Sequence, residues 1–188
     1  MTPEQYKAKH LAALPYDAYL ATGSAAQQAN WRRNADRIAL SSPQTQLLTG
    51  FVRRINALVL SGVWCGDCAQ QGPALAAIAR AQPLIDLRWL DRDQHPELAE
   101  LAEVNGGRRV PVVFFLSEDY HLVGWFGDRT LSRYRALASQ HLGPACPLPG
   151  APLPHDEAAA MSQDWLDQFE RVHLLLRLST RLRQLHGD

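Results

Sequence analysis

Two cysteines three positions apart are the residues of this sequence best suited to chemistry. They lie in the stretch Trp64-Cys65-Gly66-Asp67-Cys68, where an apolar run gives way to a helical pattern. A cysteine at the start of a helix meets unpaired backbone N–H groups and the positive end of the helix dipole, which both stabilise a thiolate. The spacing predicts that both sulfurs lie on one helix face, close enough to form a disulfide and to open it again.

This arrangement predicts a different role for each thiol. The exposed thiolate of Cys65 attacks a substrate disulfide to give a mixed disulfide, and the shielded Cys68 resolves it by attacking Cys65. Asp67 opposes thiolate formation by its charge, and it also favours the helix N-terminus, so the sequence does not rank its two effects. The reaction needs no bound cofactor, and we expect a separate reductase or a small thiol to supply electrons.

Two other interpretations of the pair stay open. A zinc or iron–sulfur site needs further ligands, which would have to be Cys146 with His155 or another histidine. The sequence contains no second pair of cysteines at this spacing and no paired histidines at zinc spacing. The remaining interpretation is a pair of inert, buried cysteines.

Composition narrows the class of protein. The 188 residues are enough for one core with extensions, and nineteen basic and nineteen acidic side chains give a formal net charge of +0. A balanced charge gives little support to nucleic acid or an anionic membrane as a partner. The first residues lack an export leader, and no stretch is apolar enough to span a bilayer. We therefore expect a cytoplasmic protein, in which three cysteines do not form a disulfide framework.

The elements around the cysteine pair predict an α/β layer. Apolar runs bounded by turn residues indicate strands, and apolar residues at helical spacing lie between them. Parallel strands joined by crossover helices, followed by a hairpin and a closing helix, place helices on both faces of one sheet. The expected strands cover residues 57–60, 84–91, 112–116 and 121–126.

The outer parts of the chain differ from this middle section. A run rich in proline and glycine separates the closing helix of the middle section from one final amphipathic helix, which we expect to end near Leu185. The apolar positions of this helix, from Trp165 to Leu178, suit packing on the core or pairing with a partner. The expected segments are an N-terminal helical extension (1–41), the α/β domain (42–142), a Pro-rich linker (143–155) and a C-terminal helix (156–188).

Several features resemble the thioredoxin superfamily in type, order and spacing. A tryptophan precedes the first cysteine, a proline follows the second by five positions, and a Val-Pro pair opens the third strand. The resemblance covers roughly half the chain and implies a thioredoxin-like α/β fold. This fold has a central mixed sheet flanked by helices, here with extra N-terminal helices and a long C-terminal helix. The matching residues are Trp64, Cys65, Cys68, Pro73, Arg109, Val110, Pro111 and Gly127.

The resemblance implies a thiol–disulfide oxidoreductase that acts on protein disulfides. It implies a cis peptide bond between Val110 and Pro111, which places the Val110 backbone beside the cysteines to pair with a bound substrate strand. It also implies that Arg109 and Gly127 border the docking surface. A thioredoxin-fold interaction module with regulatory or residual cysteines is the alternative function.

The sequence departs from the family pattern at two positions. Thioredoxins carry a buried aspartate and a partnering lysine below the motif, and this chain has Val59 and Trp89 there. The usual proton acceptor for the resolving cysteine is therefore missing. Asp91, Asp67 or water are the candidate substitutes, and the direction of the redox reaction stays open.

Overall fold

The computed structural model describes residues 1–142, 153 and 155–188. Most of the expected linker, including Cys146, lies outside these residues. The helices are α1 (Pro3–Ala12), α2 (Tyr16–Ala21), α3 (Ala25–Ala35), α4 (Ser42–Thr49), α5 (Gly66–Ala81), α6 (Pro96–Leu101), α7 (Leu131–His141), α8 (Glu157–Leu178) and α9 (Thr180–His186). The strands are β1 (Ile55–Ser61), β2 (Ile85–Asp91), β3 (Val112–Leu116) and β4 (Leu122–Gly127).

The four strands form one mixed sheet in the order β2-β1-β3-β4. Strand β1 runs parallel to β2, with Ile55 opposite Ile85 and Ser61 opposite Asp91. Strand β3 is antiparallel to both β1 and β4. Every residue of β1 and β3 is buried, as expected of central strands covered on both faces. The predicted mixed sheet flanked by helices is confirmed.

Neighbouring residues of β3 show which helices cover each face of the sheet. Successive strand residues point to opposite faces. The ring of Tyr6 in α1 lies 6.3 Å from that of Phe114, and the ring of Phe169 in α8 lies 5.2 Å from that of Phe115. Helices α1 and α8 therefore cover opposite faces of the sheet.

Helix α5 lies beside α8 on the same face of the sheet. Trp165 of α8 donates from its indole nitrogen to Oε1 of Gln71 in α5, at 3.1 Å. The ring of Trp165 also meets that of Phe126 on β4, with 5.2 Å between their centroids. The helix that follows the cysteine motif is thus held between the sheet and the C-terminal part of the chain.

The N-terminal helices pack on the β2 end of the sheet through aromatic rings. The ring of Tyr19 stacks on Trp89, with centroids 5.5 Å apart and planes 21° apart, and Trp31 meets Trp89 edge to face at 5.8 Å. Leu14 exchanges two backbone hydrogen bonds with Trp89, which covers part of the open edge of β2. The N-terminal helices and the sheet therefore share one buried apolar cluster.

Helices α1, α3 and α4 begin in the same way. Each follows a Ser or Thr whose hydroxyl accepts from a backbone N–H three residues later, where a Gln reaches back to the cap. This reciprocal pair satisfies two N–H groups that a short helix leaves unpaired. Ser24 fills this capping position for α3.

The prediction of one uninterrupted C-terminal helix is wrong at Ser179. This residue has extended backbone angles (φ −67°, ψ 113°), and its hydroxyl accepts from the Leu182 amide at 3.4 Å. The side chain therefore caps a new helix, because a serine hydroxyl competes well for the amides of a first helical turn. No helix in the described ranges has the length and apolar character needed to cross a membrane.

Replacing Gly72 by alanine should lower the free energy of unfolding by about 1–3 kcal/mol. A β-carbon at Gly72 in α5 would lie 2.2 Å from Cζ3 of Trp31, whose side chain is fully buried and has no room to move. Urea unfolding followed by tryptophan fluorescence measures the change.

Gly66→Ala is the matched control in the same helix, because a β-carbon there meets no atom within 4 Å. Its unfolding midpoint should equal that of the parent protein or rise slightly, since alanine is the better helix former. Equal midpoints for both variants would show that α3 and α5 are not in close contact at Gly72.

Candidate active site

A tight turn between β1 and α5 places Cys65 at the start of the helix. The Cys65 amide donates to the Gly62 carbonyl at 2.9 Å, and the Cys65 carbonyl accepts from the Ala69 amide at 3.0 Å. Cys65 is thus the N-cap residue of α5. Glycine at position 62 lets the ring of Trp64 lie against the turn, since a β-carbon there would be 2.6 Å from that ring.

Cys65 has the features of a nucleophile. Its side chain is partly exposed, and both motif cysteines are free thiols. A hydrogen bond from Cys68 lowers the pKa of Cys65 to about 6, and the backbone amides of Cys68 and Asp67 contribute, while burial and the Asp67 charge act in the opposite direction. Cys65 is therefore largely thiolate near neutral pH.

Cys68 has the opposite character. Its side chain is 0% exposed, and burial raises its pKa well above the ordinary value, with the neighbouring Cys65 adding to the rise. A buried thiol in these surroundings stays protonated and donates to the thiolate beside it. Cys65 thus has the partly exposed, charged sulfur that an attacking thiol needs, and Cys68 has the buried, protonated sulfur of a resolving thiol.

The loop before β3 faces Cys65. The Cys65 thiol lies 3.7 Å from the Val110 carbonyl oxygen, to which it donates when protonated, and the Val110–Pro111 peptide bond is cis. Gly127 at the end of β4 packs against this loop, since a β-carbon there would lie 2.4 Å from the Pro111 carbonyl oxygen. The structure therefore brings Val110, Pro111 and Gly127 together with the cysteine pair.

Two arginines that sequence reasoning missed neutralise Asp67. Arg129 donates from Nε and Nη2 to Oδ2 of Asp67 at 2.9 and 2.6 Å, and Nε of Arg133 lies 3.5 Å from Oδ1. Of the influences on the pKa of Cys65, the Asp67 charge is the smallest, and the helix amides outweigh it. No local pattern identifies these partners, because they lie more than sixty residues away among nineteen basic side chains.

Arg109, which precedes Val110 in the loop before β3, forms an ion pair with Asp128. Its Nη1 lies 3.3 Å from Oδ2 of Asp128, a buried carboxylate that also accepts from the Tyr134 hydroxyl at 2.5 Å. These donors lower the pKa of Asp128 despite its burial. The Arg109 side chain thus spans from this carboxylate to the surface beside the motif.

Trp64 is the exposed apolar side chain next to the nucleophile. It is 46% exposed, and the guanidinium of Arg92 lies over its ring, 4.7 Å from the centroid. Arg92 also donates to the Arg108 carbonyl at 3.0 Å, which connects the end of β2 to the Val110 loop. Gly66 leaves the surface open on the other side of Cys65, with no atom near its missing β-carbon.

The positions below the motif are apolar. Val59 and Trp89 are direct partners in the β1–β2 register, and both are fully buried. Asp91, the candidate substitute on β2, accepts from the Asp93 amide at 2.8 Å and thereby caps the turn after the strand. The apolar side chain of Val59 therefore occupies the position where the resemblance implies a carboxylate.

The metal interpretation depends on a residue that the structure does not describe. Cys146, its required third ligand, lies outside the described residues. Among the described residues, no three histidine, cysteine or acidic side chains come together as a metal site.

Comparisons with known proteins agree with the observed fold. A family model described as thioredoxin matches residues 13–138. No curated protein gives a significant match. A protein of unknown function from Pseudomonas aeruginosa is 21% identical, with a TM-score of 0.67 over 87% of this chain and 93% of its own.

Two further solved structures are similar to this chain. An HIV epitope scaffold is 22% identical, with a TM-score of 0.62 over 97% of this chain and 98% of its own. A thioredoxin from Fasciola hepatica is 24% identical and aligns with 51% of this chain and 88% of its own, with a TM-score of 0.36. The family match spans most of the chain and includes the sheet, the cysteine motif and the Val110–Pro111 loop, and this chain belongs to the thioredoxin family.

Proposed function

We propose that this protein is a thiol–disulfide oxidoreductase that exchanges disulfides with protein substrates through Cys65 and Cys68. The observation that carries the proposal is the contrast between the two thiols at the start of α5. A partly exposed sulfur whose pKa is lowered to about 6 lies beside a fully buried sulfur whose pKa is raised. Nucleophilic attack by one thiol and resolution by the other require this division.

The reaction proceeds in two exchanges. The Cys65 thiolate attacks one sulfur of the substrate disulfide, whose S–S bond breaks, and the leaving sulfur takes the electron pair and a proton from water. Cys68 then attacks the Cys65 sulfur, the mixed disulfide breaks, and the second substrate sulfur leaves as a thiol. Two electrons have passed to the substrate, and Cys65 and Cys68 end as a disulfide. A separate reductase or a small thiol returns the two electrons.

The surface around Cys65 supports an extended peptide as the substrate. The Val110 backbone lies against the Cys65 sulfur, and its position before β3 suits main-chain pairing with a bound strand. Trp64 offers an exposed apolar ring beside the same sulfur. We propose that Arg109 and Gly127 border this docking surface.

The alternative function is an interaction module with regulatory or residual cysteines. Exposed leucines on the outer side of α8, at Leu174, Leu175 and Leu178, favour a partner surface. The alternative expects an ordinary thiol pKa at Cys65. The lowered pKa of Cys65 therefore favours the oxidoreductase.

Replacing Cys68 by serine should trap the substrate on the enzyme. Without the resolving thiol, the mixed disulfide at Cys65 persists, because the substituted hydroxyl does not attack it. The variant is made in a Cys146→Ser background, so that Cys65 carries the only thiol. It is then incubated with insulin whose disulfide bonds are intact. Non-reducing electrophoresis should show a covalent adduct that dithiothreitol releases.

Cys65→Ser in the same background is the control and should form no adduct, since the buried Cys68 is inaccessible. The parent protein should reduce insulin in the presence of dithiothreitol, and both serine variants should lose this activity. An equal yield of adduct from both serine variants would contradict the assignment of the nucleophile.

The reactivity of Cys65 should follow its lowered pKa. Alkylation by iodoacetamide should rise with pH through a midpoint near 6, because the thiolate is lost as the pH falls through that value. Arg129→Gln removes the cation paired with Asp67, so the Asp67 charge acts more strongly on the thiolate and the midpoint rises. At pH 6 the alkylation rate should fall roughly two- to fivefold, as expected for one charge at this range in water.

Arg181→Gln is the matched control for Arg129→Gln. Arg181 is paired with Asp119, which lies in the β3–β4 turn, at the end of β3 far from Pro111. Its removal should leave the alkylation profile unchanged. A parent midpoint above pH 8 would contradict the activated thiolate and the proposed function with it.

A further inference from the structure

Two buried hydroxyls near Cys68 have no hydrogen-bond partner among the described residues. They are Oη of Tyr19 and Oγ of Ser61, in side chains that are 2% and 0% exposed. A buried donor without an acceptor costs free energy, so a native structure that keeps two of them side by side calls for an explanation. Neither residue belongs to the motif.

The strand pattern places Ser61 below the start of α5. Ser61 lies two residues beyond Val59, so both side chains point to the same face of the sheet. Val59 is opposite Val113 in the β1–β3 register, so the two side chains point to the same face of the sheet. Val113 lies two residues before Phe115, which packs on α8, so this is the face that α8 and α5 cover. The Ser61 side chain thus lies between the sheet and the helix that carries Cys68.

Tyr19 reaches the same place from the N-terminal helices. Its ring stacks on Trp89, the register partner of Val59, which brings the hydroxyl to the face that carries Ser61. Burial raises the pKa of Tyr19 far above its ordinary value, and the Ser61 hydroxyl opposes that rise. Tyr19 is therefore protonated near neutral pH, where its hydroxyl can donate a hydrogen bond.

Ser61 also acts on the resolving thiol. Burial raises the pKa of Cys68, Cys65 adds to the rise, and the Ser61 hydroxyl and the Gly62 amide oppose it. The charged groups near Tyr19 are Asp91 on β2 and the two cysteines. The Ser61 hydroxyl is thus close to both the Tyr19 hydroxyl and the Cys68 sulfur, although it bonds neither in this structure, in which both thiols are free.

We propose that Tyr19 and Ser61 stabilise the Cys68 thiolate during resolution, with Tyr19 donating to Ser61 and Ser61 donating to the Cys68 sulfur. The inference rests on the proposed function. When Cys68 attacks, its proton passes to solvent water, its electron pair forms the bond to the Cys65 sulfur, and the substrate sulfur leaves with the electrons of the broken bond. Hydroxyl donors lower the free energy of the buried anion without a buried carboxylate. In the proposed arrangement Ser61 donates directly to the reacting sulfur, and Tyr19 is a positioning residue that acts through Ser61.

The test separates the two exchanges with dithionitrobenzoate, an aromatic disulfide that releases a coloured thiolate at each step. In a Cys146→Ser background, the attack of Cys65 gives the first release and the attack of Cys68 gives the second. Ser61→Ala should slow the second release roughly five- to thirtyfold at pH 7, the effect of one lost hydrogen bond to a charged atom. Tyr19→Phe should slow it by a smaller factor of about two- to fivefold, because it removes a hydrogen bond to the neutral Ser61 hydroxyl. The first release should change less than about twofold, because the groups that shift the pKa of Cys65 are Cys68, Asp67 and burial, and neither hydroxyl is among them.

Three further variants distinguish this role from a merely structural one. Ser61→Thr keeps the hydroxyl and should keep the second rate, while Tyr16→Phe removes a hydroxyl from the same aromatic cluster and should change neither rate. The double variant of Ser61→Ala with Tyr19→Phe should be no slower than Ser61→Ala alone, because Tyr19 acts through Ser61. The second release of the single variants should also recover at high pH, since their Cys68 pKa is raised.

Each outcome decides a separate question. A normal second release in both Ser61→Ala and Tyr19→Phe would overturn the hydroxyl pair and leave the oxidoreductase intact. A parent protein that releases only one coloured thiolate would overturn the resolving role of Cys68, and with it the proposed function. If Tyr19→Phe does not fold, the comparison of Ser61→Ala with Ser61→Thr still tests the donor to Cys68.

Discussion

The burial of Cys68 beneath a partly exposed Cys65 is the constraint on which the active site depends. A hydrogen bond from the Cys68 thiol is the largest influence that lowers the pKa of Cys65, and it exists only while Cys68 is protonated. Burial keeps Cys68 protonated by raising its own pKa. One feature of packing therefore makes Cys65 a good nucleophile and Cys68 a poor one. In the proposed reaction, the second exchange must overcome the same burial, so a group that stabilises charge on Cys68 would speed the resolution step.

The N-terminal helices are part of the support for this pair. Trp31 of α3 donates to the Val63 carbonyl at 2.9 Å, immediately before the motif, and its ring occupies the space that Gly72 leaves open in α5. Trp89 stacks on Tyr19 at the position where the family resemblance implies a charged lysine. An apolar partner there needs close packing in place of a countercharge, because a buried ion is costly unless it is paired. The aromatic cluster supplies that packing.

Local patterns predict the parts of the site that neighbouring residues determine. The cysteine spacing, the buried run of β1 and the Val110–Pro111 pair each carry their signal within a few residues, and the structure brings them together. Partners across the fold carry no such signal. Asp67 pairs with Arg129 and Arg133 across more than sixty residues of sequence. Tyr19 stacks on Trp89, in the helix that follows the pairing of Leu14 with β2. Such contacts depend on how the whole chain folds, so the residue types and spacing near the motif do not predict them.

The residues from Gly127 to Arg129, at the end of β4, connect Asp67 of the motif to the Val110–Pro111 loop. Arg129 binds Asp67 and also lies 3.6 Å from Asp128, whose carboxylate holds Arg109. The Asp128 carbonyl accepts from Gln71 of α5 at 3.0 Å, and Gly127 packs against the Pro111 carbonyl. Helix α5 and the Val110–Pro111 loop therefore both contact the consecutive residues Gly127 and Asp128. A shift of this segment would change both the charge near Cys65 and the distance between Cys65 and Val110. The reactivity of Cys65 and the strand binding proposed for the Val110 backbone would therefore depend on the same contacts.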